Sequence, residues 1–322
     1  MGYAHPAYAR ALAEFGRPIA LDASRGWLLE RPIPGTEERD AIGPYPLFAC
    51  GDWPALRADL DSLAGRLVSV TLVTDPFGAY DEALLKSIFD VVRRFKKHFV
   101  VDLAESDRAV ASKHHRYYAR RALRELRVEV STKPEAHVEE WTRLYSGLIA
   151  RHGIEGIRSF SAAAFDAQMR VPGVVLFRAL HGETVVGEHL WYAPSRPEGS
   201  ICLEDSEGNS GGVAYSHLAA TTESGYSLGA AYALHWAALE HFRGRLRWLD
   251  LGGGAGIGEA QARDGLTEFK AGWATGSRLA YLCGRILSPE RYGSLTRAAT
   301  GRLAAGRNSV DYFPAYRAGE YG

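Results

Sequence analysis

The stretch RWLDLGGGAGIGEAQARDGLTEFKAGWATG, Arg247 to Gly276, decides how this chain is read. An apolar segment running into glycines is the pattern with which backbone amides cradle an anion at the start of a helix. The spacing argues against a dinucleotide loop. With Gly254 and Gly256 as the first pair, G-x-G-x-x-G requires a glycine at 259, where Glu259 stands. The Gly-Lys-Ser/Thr ending of a P-loop is missing as well. The segment after the glycines, DGLTEFKAGW, reads as a loop at Asp264-Gly265 followed by a central strand that ends near Lys270.

Outward from this stretch, the chain shows two halves with one order of elements. In the second half, PEAHVEEWTRLYSGLIARHG has helical apolar spacing and ends on Gly153, a good C-cap. SAAAFDAQMR predicts a short helix. GVVLFRAL, TVVGEHLWYA and SICLED predict three strands, the first two joined by the turn HGET. LGAAYALHWAALEHF predicts a helix that stops at Arg243-Gly244, and RLRWLDL the next strand. In the first half, RPIALDA and GWLLERPI predict a hairpin, YPLFAC a strand, DWPALRADLDSLA a helix and RLVSVTLV a strand. Both helices hand over through one tripeptide, Gly65-Arg66-Leu67 and Gly244-Arg245-Leu246, which suggests an internal duplication.

Between the halves, SDRAVASKHHRYYARRALRELRVEV predicts a helix with an apolar stripe of Ala119, Ala122, Leu123 and Leu126. Lys113, Arg116, Arg120 and Arg124 form a second stripe at spacings of three and four. Like charges so placed repel by about 0.2–0.5 kcal/mol per pair. The stripe reads either as a solvated face or as a phosphate site that relieves the repulsion. Arg120 continues the stripe, whereas its neighbour Arg121 is expected to pair within the protein. His114 and His115 diverge on a helix, so local hydrogen bonding is expected of them rather than metal ligation.

Composition narrows the function classes. The 322 residues are 46% hydrophobic and 24% charged with zero formal net charge, so an anion-binding surface must be local. Three scattered cysteines, Cys50, Cys202 and Cys283, give neither a disulfide framework nor a zinc motif, and no metal site is expected. The N-terminal residues lack the apolar core of a secretory leader, and no run reaches membrane-spanning length. A cytoplasmic protein without membrane insertion is expected.

LDLGGG resembles the first motif of S-adenosylmethionine-dependent methyltransferases, but that motif opens a doubly wound sheet whose further strand–helix units are missing here. The order of hairpin, strand, loop, helix and strand resembles the GNAT acyltransferase fold instead. LDLGGG followed by DGLTEFKAGW resembles the closing signature of the FemAB-like branch, whose members carry two GNAT-like domains in tandem. SKHHRYYARRALRELRVEV resembles that branch's basic junction, with Arg116 and Arg120-Arg121-Ala122 at the places of its R-x-x-R-[KR]-A pattern. GPYPLF, Gly43 to Phe48, resembles its tyrosine-containing segment, which singles out Tyr45. Two departures stand out. The asparagine of the family's R-x-N-x-R is not evident, since Tyr118 stands in that neighbourhood, and the helical hairpin inserted by some cross-bridge enzymes is missing.

The resemblance implies an α/β protein of two tandem GNAT-like domains, each a mixed central sheet flanked by helices: residues 1–130 and 131–304, with the tail 305–322 returning to the first. It implies transfer of an aminoacyl group from aminoacyl-tRNA, or of an acyl group from acyl-CoA, to the amine of a small molecule or peptide. No tightly bound cofactor is implied. The alternatives are an acetyl-CoA-dependent N-acetyltransferase of a small metabolite, a methyltransferase, and a non-catalytic module that keeps the fold.

Amide formation at an ester or thioester needs a deprotonated amine, a stabilised oxyanion and alignment. Lys270, beside Phe269, is the first candidate, and the resemblance implies a role at the reacting carbonyl. Glu204, Asp205 and Asp264 are candidate bases. Gly252 and Gly253 are expected to turn the chain sharply at the edge of a substrate cleft near Lys270. The junction ESGYSLGAAY, with Gly225, Tyr226 and Gly229, is expected to hold donor phosphates, although it lacks the Gln/Arg-x-x-Gly-x-Gly/Ala loop of acetyl-CoA-binding GNAT proteins.

Overall fold

The computed structural model describes residues 2–105, 110–153, 156, 159–194, 212–254, 265–300, 312–318 and 320. In chain order the elements begin with α1 (Pro6–Ala11), β1 (Arg17–Leu21), β2 (Gly26–Pro32), β3 (Arg39–Ile42), α2 (Leu56–Ser62), β4 (Ser69–Val73) and α3 (Glu82–Ile88). Then come β5 (Val91–Asp102), α4 (Lys113–Glu125), β6 (Arg127–Ser131), α5 (Val138–His152) and α6 (Ala162–Met169). Next are β7 (Val174–His181), β8 (Thr184–Tyr192), β9 (Val213–Thr221), α7 (Glu223–Leu228), α8 (Ala230–Phe242) and β10 (Trp248–Gly253). The chain closes with α9 (Gly265–Ala271), β11 (Gly276–Ile286) and α10 (Pro289–Thr300).

These elements fall into two compact units, Met1–Ala7 with Lys96–Ile154 and Ser159–Leu279, and Tyr8–Phe95 with Glu155–Arg158 and Ala280–Gly322. In the second of these, the strands run in the order β1-β2-β3-β4-β11. Only the β3–β4 pair is parallel. Its core gathers Leu28, Phe48, Trp53, Leu60, Leu67, Val70 and Leu85. In the other unit the order is β5-β10-β9-β8-β7-β6, with β10 and β9 the parallel pair. Successive residues of β8 point to opposite faces. Trp191 packs on Phe242 of α8, while Tyr192 donates from its hydroxyl to the Gln168 carbonyl of α6. Helices therefore cover both faces of this sheet. The architecture is the mixed α/β fold that the sequence implies.

The repeated tripeptide has one conformation in both places. Gly65 and Gly244 adopt φ of +84° and +73°, a region that costs other residues about 1–2 kcal/mol. In each copy the next two amides return to a single carbonyl: those of Arg66 and Leu67 to Leu63, those of Arg245 and Leu246 to Phe242. Each copy then buries its leucine. The same local solution is used twice, as a duplication requires.

Several segments differ from expectation. YPLFAC forms no strand. Pro44 and Pro46 lack the N–H donors of a ladder, and only Phe48 makes a bridge, to Thr74. The segment around Lys270 is the helix α9, not a strand: Gly272 and Trp273 donate to the carbonyls of Glu268 and Lys270, and Phe269 packs on the core. α1, β3, α3, β5, β6, β9, β11 and α10 have no counterpart among the predicted elements. SICLED lies outside the described residues.

Candidate active site

The parallel strands β9 and β10 pair over only three residues each, Val213–Tyr215 with Trp248–Asp250. Both strands continue, β9 to Thr221 and β10 to Gly253, so the sheet opens between their C-terminal ends. The glycine turn lies at this opening. The Asp250 carboxylate accepts the Gly252 amide at 2.7 Å, and Gly252 takes φ +79°. A β-carbon on Gly252 would lie 3.1 Å from Lys270 Nζ. The Lys270 ammonium in turn donates to the Gly253 carbonyl at 2.7 Å, and Lys96 reaches the Gly254 carbonyl at 3.4 Å. Thus Lys270, Gly252 and Gly253 meet, although Lys270 arrives on a helix.

His98 also belongs to this cluster. The β5–β10 ladder shifts register after Asp250 and resumes with Gly253 opposite His98. His98 Nδ1 lies 2.8 and 3.0 Å from the two carboxylate oxygens of Asp250. Both residues are buried. Neither was among the sequence candidates, although an aspartate inside the apolar run RWLDL calls for a partner.

The basic helix α4 borders a second feature. Its Ser112 N-cap accepts the His115 amide, Ala119, Ala122 and Leu126 face the core, and Lys113, Arg120, Arg121 and Arg124 face outward. These four make no ion pair among the described residues. They line an open groove of about 1070 Å³ together with Arg116, Tyr117, Glu125, Ser227 and Leu228. Arg121 was expected to pair within the protein, but it makes no ion pair among the described residues, although Glu125 lines the same groove. Arg116 is anchored differently, donating to the Ala111 carbonyl.

The expected donor junction joins this groove through the end of α7. Tyr226 is 80% exposed, and Gly229, with φ +74°, ends α7 and starts α8. Gly225 is occupied with packing: a β-carbon there would come 2.0 Å from the Val186 carbonyl oxygen, so the glycine lets α7 lie against β8.

His115 ties groove and lysine together. Its Nε2–H donates to the Phe269 carbonyl at 2.9 Å, and its Nδ1 accepts from the Ser112 hydroxyl at 2.8 Å. This is the neutral imidazole, and burial pushes its pKa down. The Ser112 amide donates to the Gly272 carbonyl at 2.8 Å. Both bonds hold the last turn of α9, which carries Lys270, against the start of α4. Behind Lys270 stand two more neutral histidines. Burial lowers His235 to about 4 and His189 well below its usual value, with the Lys270 charge adding to both.

Of the other candidates, Tyr45 lies in the unit with Tyr8–Phe95, where its carbonyl accepts the Tyr8 hydroxyl. Glu204, Asp205 and Asp264 lie outside the described residues. Among the described residues, no group of three or more His, Cys, Asp or Glu could hold a metal ion, and no helix is long and apolar enough to cross a membrane.

Solved structures share the fold over nearly the whole chain. FemX superposes with a TM-score of 0.61 at 14% identity, covering 90% of this chain and 93% of its own. The chain folds as FemX does. The C-terminal domain of a putative lysylphosphatidylglycerol synthetase from Agrobacterium fabrum gives 0.58 at 12% identity, covering 94% and 93%. L-PGS from Bacillus licheniformis gives 0.56 at 15% identity, covering 95% and 98%. The fold is therefore the one that the FemAB-like resemblance implies. No family model and no curated protein matches the sequence.

Proposed function

We propose that this protein is an aminoacyltransferase that takes an aminoacyl group from aminoacyl-tRNA and joins it to an amine. The observation that carries the reading is the cationic groove on α4, latched through His115 to the helix that brings Lys270 to the opening between β9 and β10. The fold shared with FemX, a putative lysylphosphatidylglycerol synthetase and L-PGS supports the same class of reaction.

The groove favours a polyanion over a coenzyme A donor. It offers several outward cations over the length of a helix, with Tyr117 and Tyr226 exposed beside them. Phosphates along a nucleic acid meet such a row of charges, and exposed rings give bases a stacking surface. The glycine that would let a pyrophosphate approach α7 is spent on Val186.

In the reaction, the acceptor amine adds to the ester carbonyl, the oxyanion forms, and collapse expels the ribose oxygen. Lys270 is the cation at the developing oxyanion. Gly253 accepts one of the three N–H donors of an ammonium and fixes its direction, so little reorganisation accompanies the step.

The test incubates the protein with a pool of tRNA charged with labelled amino acids, and separately with labelled acetyl-CoA, using hydroxylamine as a general nucleophile. Hydroxamate formed from charged tRNA is the expected result. Product from acetyl-CoA alone would make the protein an acyl-CoA-dependent enzyme, and product from neither would overturn the transferase reading.

A further inference from the structure

The buried pair His98–Asp250 has a job that fold stability does not explain. A hydrogen-bonded polar pair inside a sheet is seldom more stabilising than apolar residues of the same volume, because both groups lose their water. Here the pair stands at the end of β10, where the glycine turn begins. Asp250 accepts both from Gly252 N–H and from the His98 ring. A carboxylate on Nδ1 fixes the tautomer with the proton on Nδ1 and leaves the lone pair on Nε2. No described residue hydrogen-bonds to Nε2.

The pair and the lysine act on the same turn from two sides. Leu249 and Leu251 of β10 belong to the core cluster that includes α8, so Asp250 between them points to the other face. His98 is two residues from Val100, the partner of Asp250 across the strands, and shares that face. Lys270 belongs with the α8 side, where its charge reaches His189 and His235. Of the charged groups about the turn, Asp250 on β10 hydrogen-bonds His98, Lys96 stands two residues earlier on β5 and reaches the Gly254 carbonyl, and Lys270 holds the Gly253 carbonyl from the α8 side.

We infer that His98, oriented by Asp250, is the general base that deprotonates the acceptor amine. The assignment rests on the transferase reading. As the amine nitrogen bonds to the carbonyl carbon, Nε2 takes one N–H proton and the carbonyl π pair moves to oxygen. On collapse the ester C–O bond breaks, and the imidazolium returns that proton to the leaving ribose oxygen. Atoms and charge balance without any further reactant.

Two measurements test the assignment. Nitrogen-15 NMR of the full chain, labelled at histidine and assigned with His98→Gln, should show His98 as the Nδ1–H tautomer. Asp250→Asn should shift it toward Nε2–H. An Nε2–H tautomer in the unsubstituted protein would overturn the proposal. The second measurement is the rate of aminoacyl transfer from the charged tRNA pool to hydroxylamine at fixed pH, alongside tRNA affinity. His98→Gln should slow transfer by about 10²–10⁴-fold with tRNA affinity unchanged. A variant that keeps the rate would also overturn it. Failure of the unsubstituted protein to transfer at all would instead count against the function, and the two failures are distinguishable.

Discussion

Lys270 and Gly253 are joined by a 2.7 Å hydrogen bond from ammonium to backbone carbonyl, across seventeen residues of sequence. The bond makes the glycine turn the seat of the lysine. Removing the ammonium while keeping the stem, in Lys270→Met, should lower transfer by about 10²–10³-fold, the cost of losing one oxyanion donor. The melting temperature should change little. Steady-state kinetics alongside thermal melting checks this, and a variant with full activity would remove Lys270 from the reaction.

Gly252 and Gly65 separate backbone strain from active-site geometry. Both hold positive φ, +79° and +84°, so alanine at either should cost about 1–2 kcal/mol of stability. Only at Gly252 does the new methyl group meet something, the Lys270 ammonium at 3.1 Å, whereas Gly65 has open space. Gly252→Ala should therefore lose transfer activity while Gly65→Ala keeps it at equal stability. Denaturant titration and the hydroxylamine assay, run on both variants, check the contrast.

The groove makes a prediction about salt. Lys113→Ala, Arg120→Ala, Arg121→Ala and Arg124→Ala should each weaken tRNA binding, by about 1.5–3 kcal/mol where a well-formed charge-assisted contact is lost. Each should also lower the slope of log affinity against log salt by about one. Folding should be unaffected, since exposed like charges contribute no stability. Arg116→Ala is different, because Arg116 also anchors the Ala111 carbonyl, and it should lower the melting temperature too. Filter binding at two salt concentrations, with unchanged slopes across the set, would return the stripe to solvated surface.

What could be read in the sequence was what local chemistry determines. α5 followed from its apolar period and the Gly153 cap, which takes φ +57°, and α8 from its alanine-rich face. Lys270, the two glycines and the basic stripe were legible as motifs. The helical state of α9 was not: the seven residues Gly265–Ala271 are too few for periodicity to separate helix from strand. β5 was hidden because Arg93, Arg94, Lys96 and Lys97 interrupt its apolar pattern. The His98–Asp250 pair was out of reach for another reason. Its members stand 152 residues apart, and only the antiparallel pairing of β5 with β10 brings them together.

Arg178 on β7 serves three carboxylates at once: Glu129 on β6 at 2.8 Å, Glu140 on α5 at 2.6 Å and Glu188 on β8 at 3.2 Å. Glu188 is fully buried, and one of its oxygens has no hydrogen-bond partner while the group is ionised. Burial first, and the neighbouring Glu140 second, raise its pKa to about 8. A proton on Glu188 gives the unpartnered oxygen a donor to offer Glu140. The folded value lies above that of an unfolded glutamate, so the folded state holds the proton more tightly. The resulting stabilisation is complete below the ordinary glutamate range and is lost as pH rises toward about 8. Glu188→Gln keeps an oxygen for Arg178 and supplies N–H donors without a titrating proton. Its stability should therefore lack this decline and should exceed that of the unsubstituted protein in mildly alkaline buffer. Urea titrations at a series of pH values decide the matter, and parallel pH dependence in the two proteins would show that Glu188 is ionised throughout.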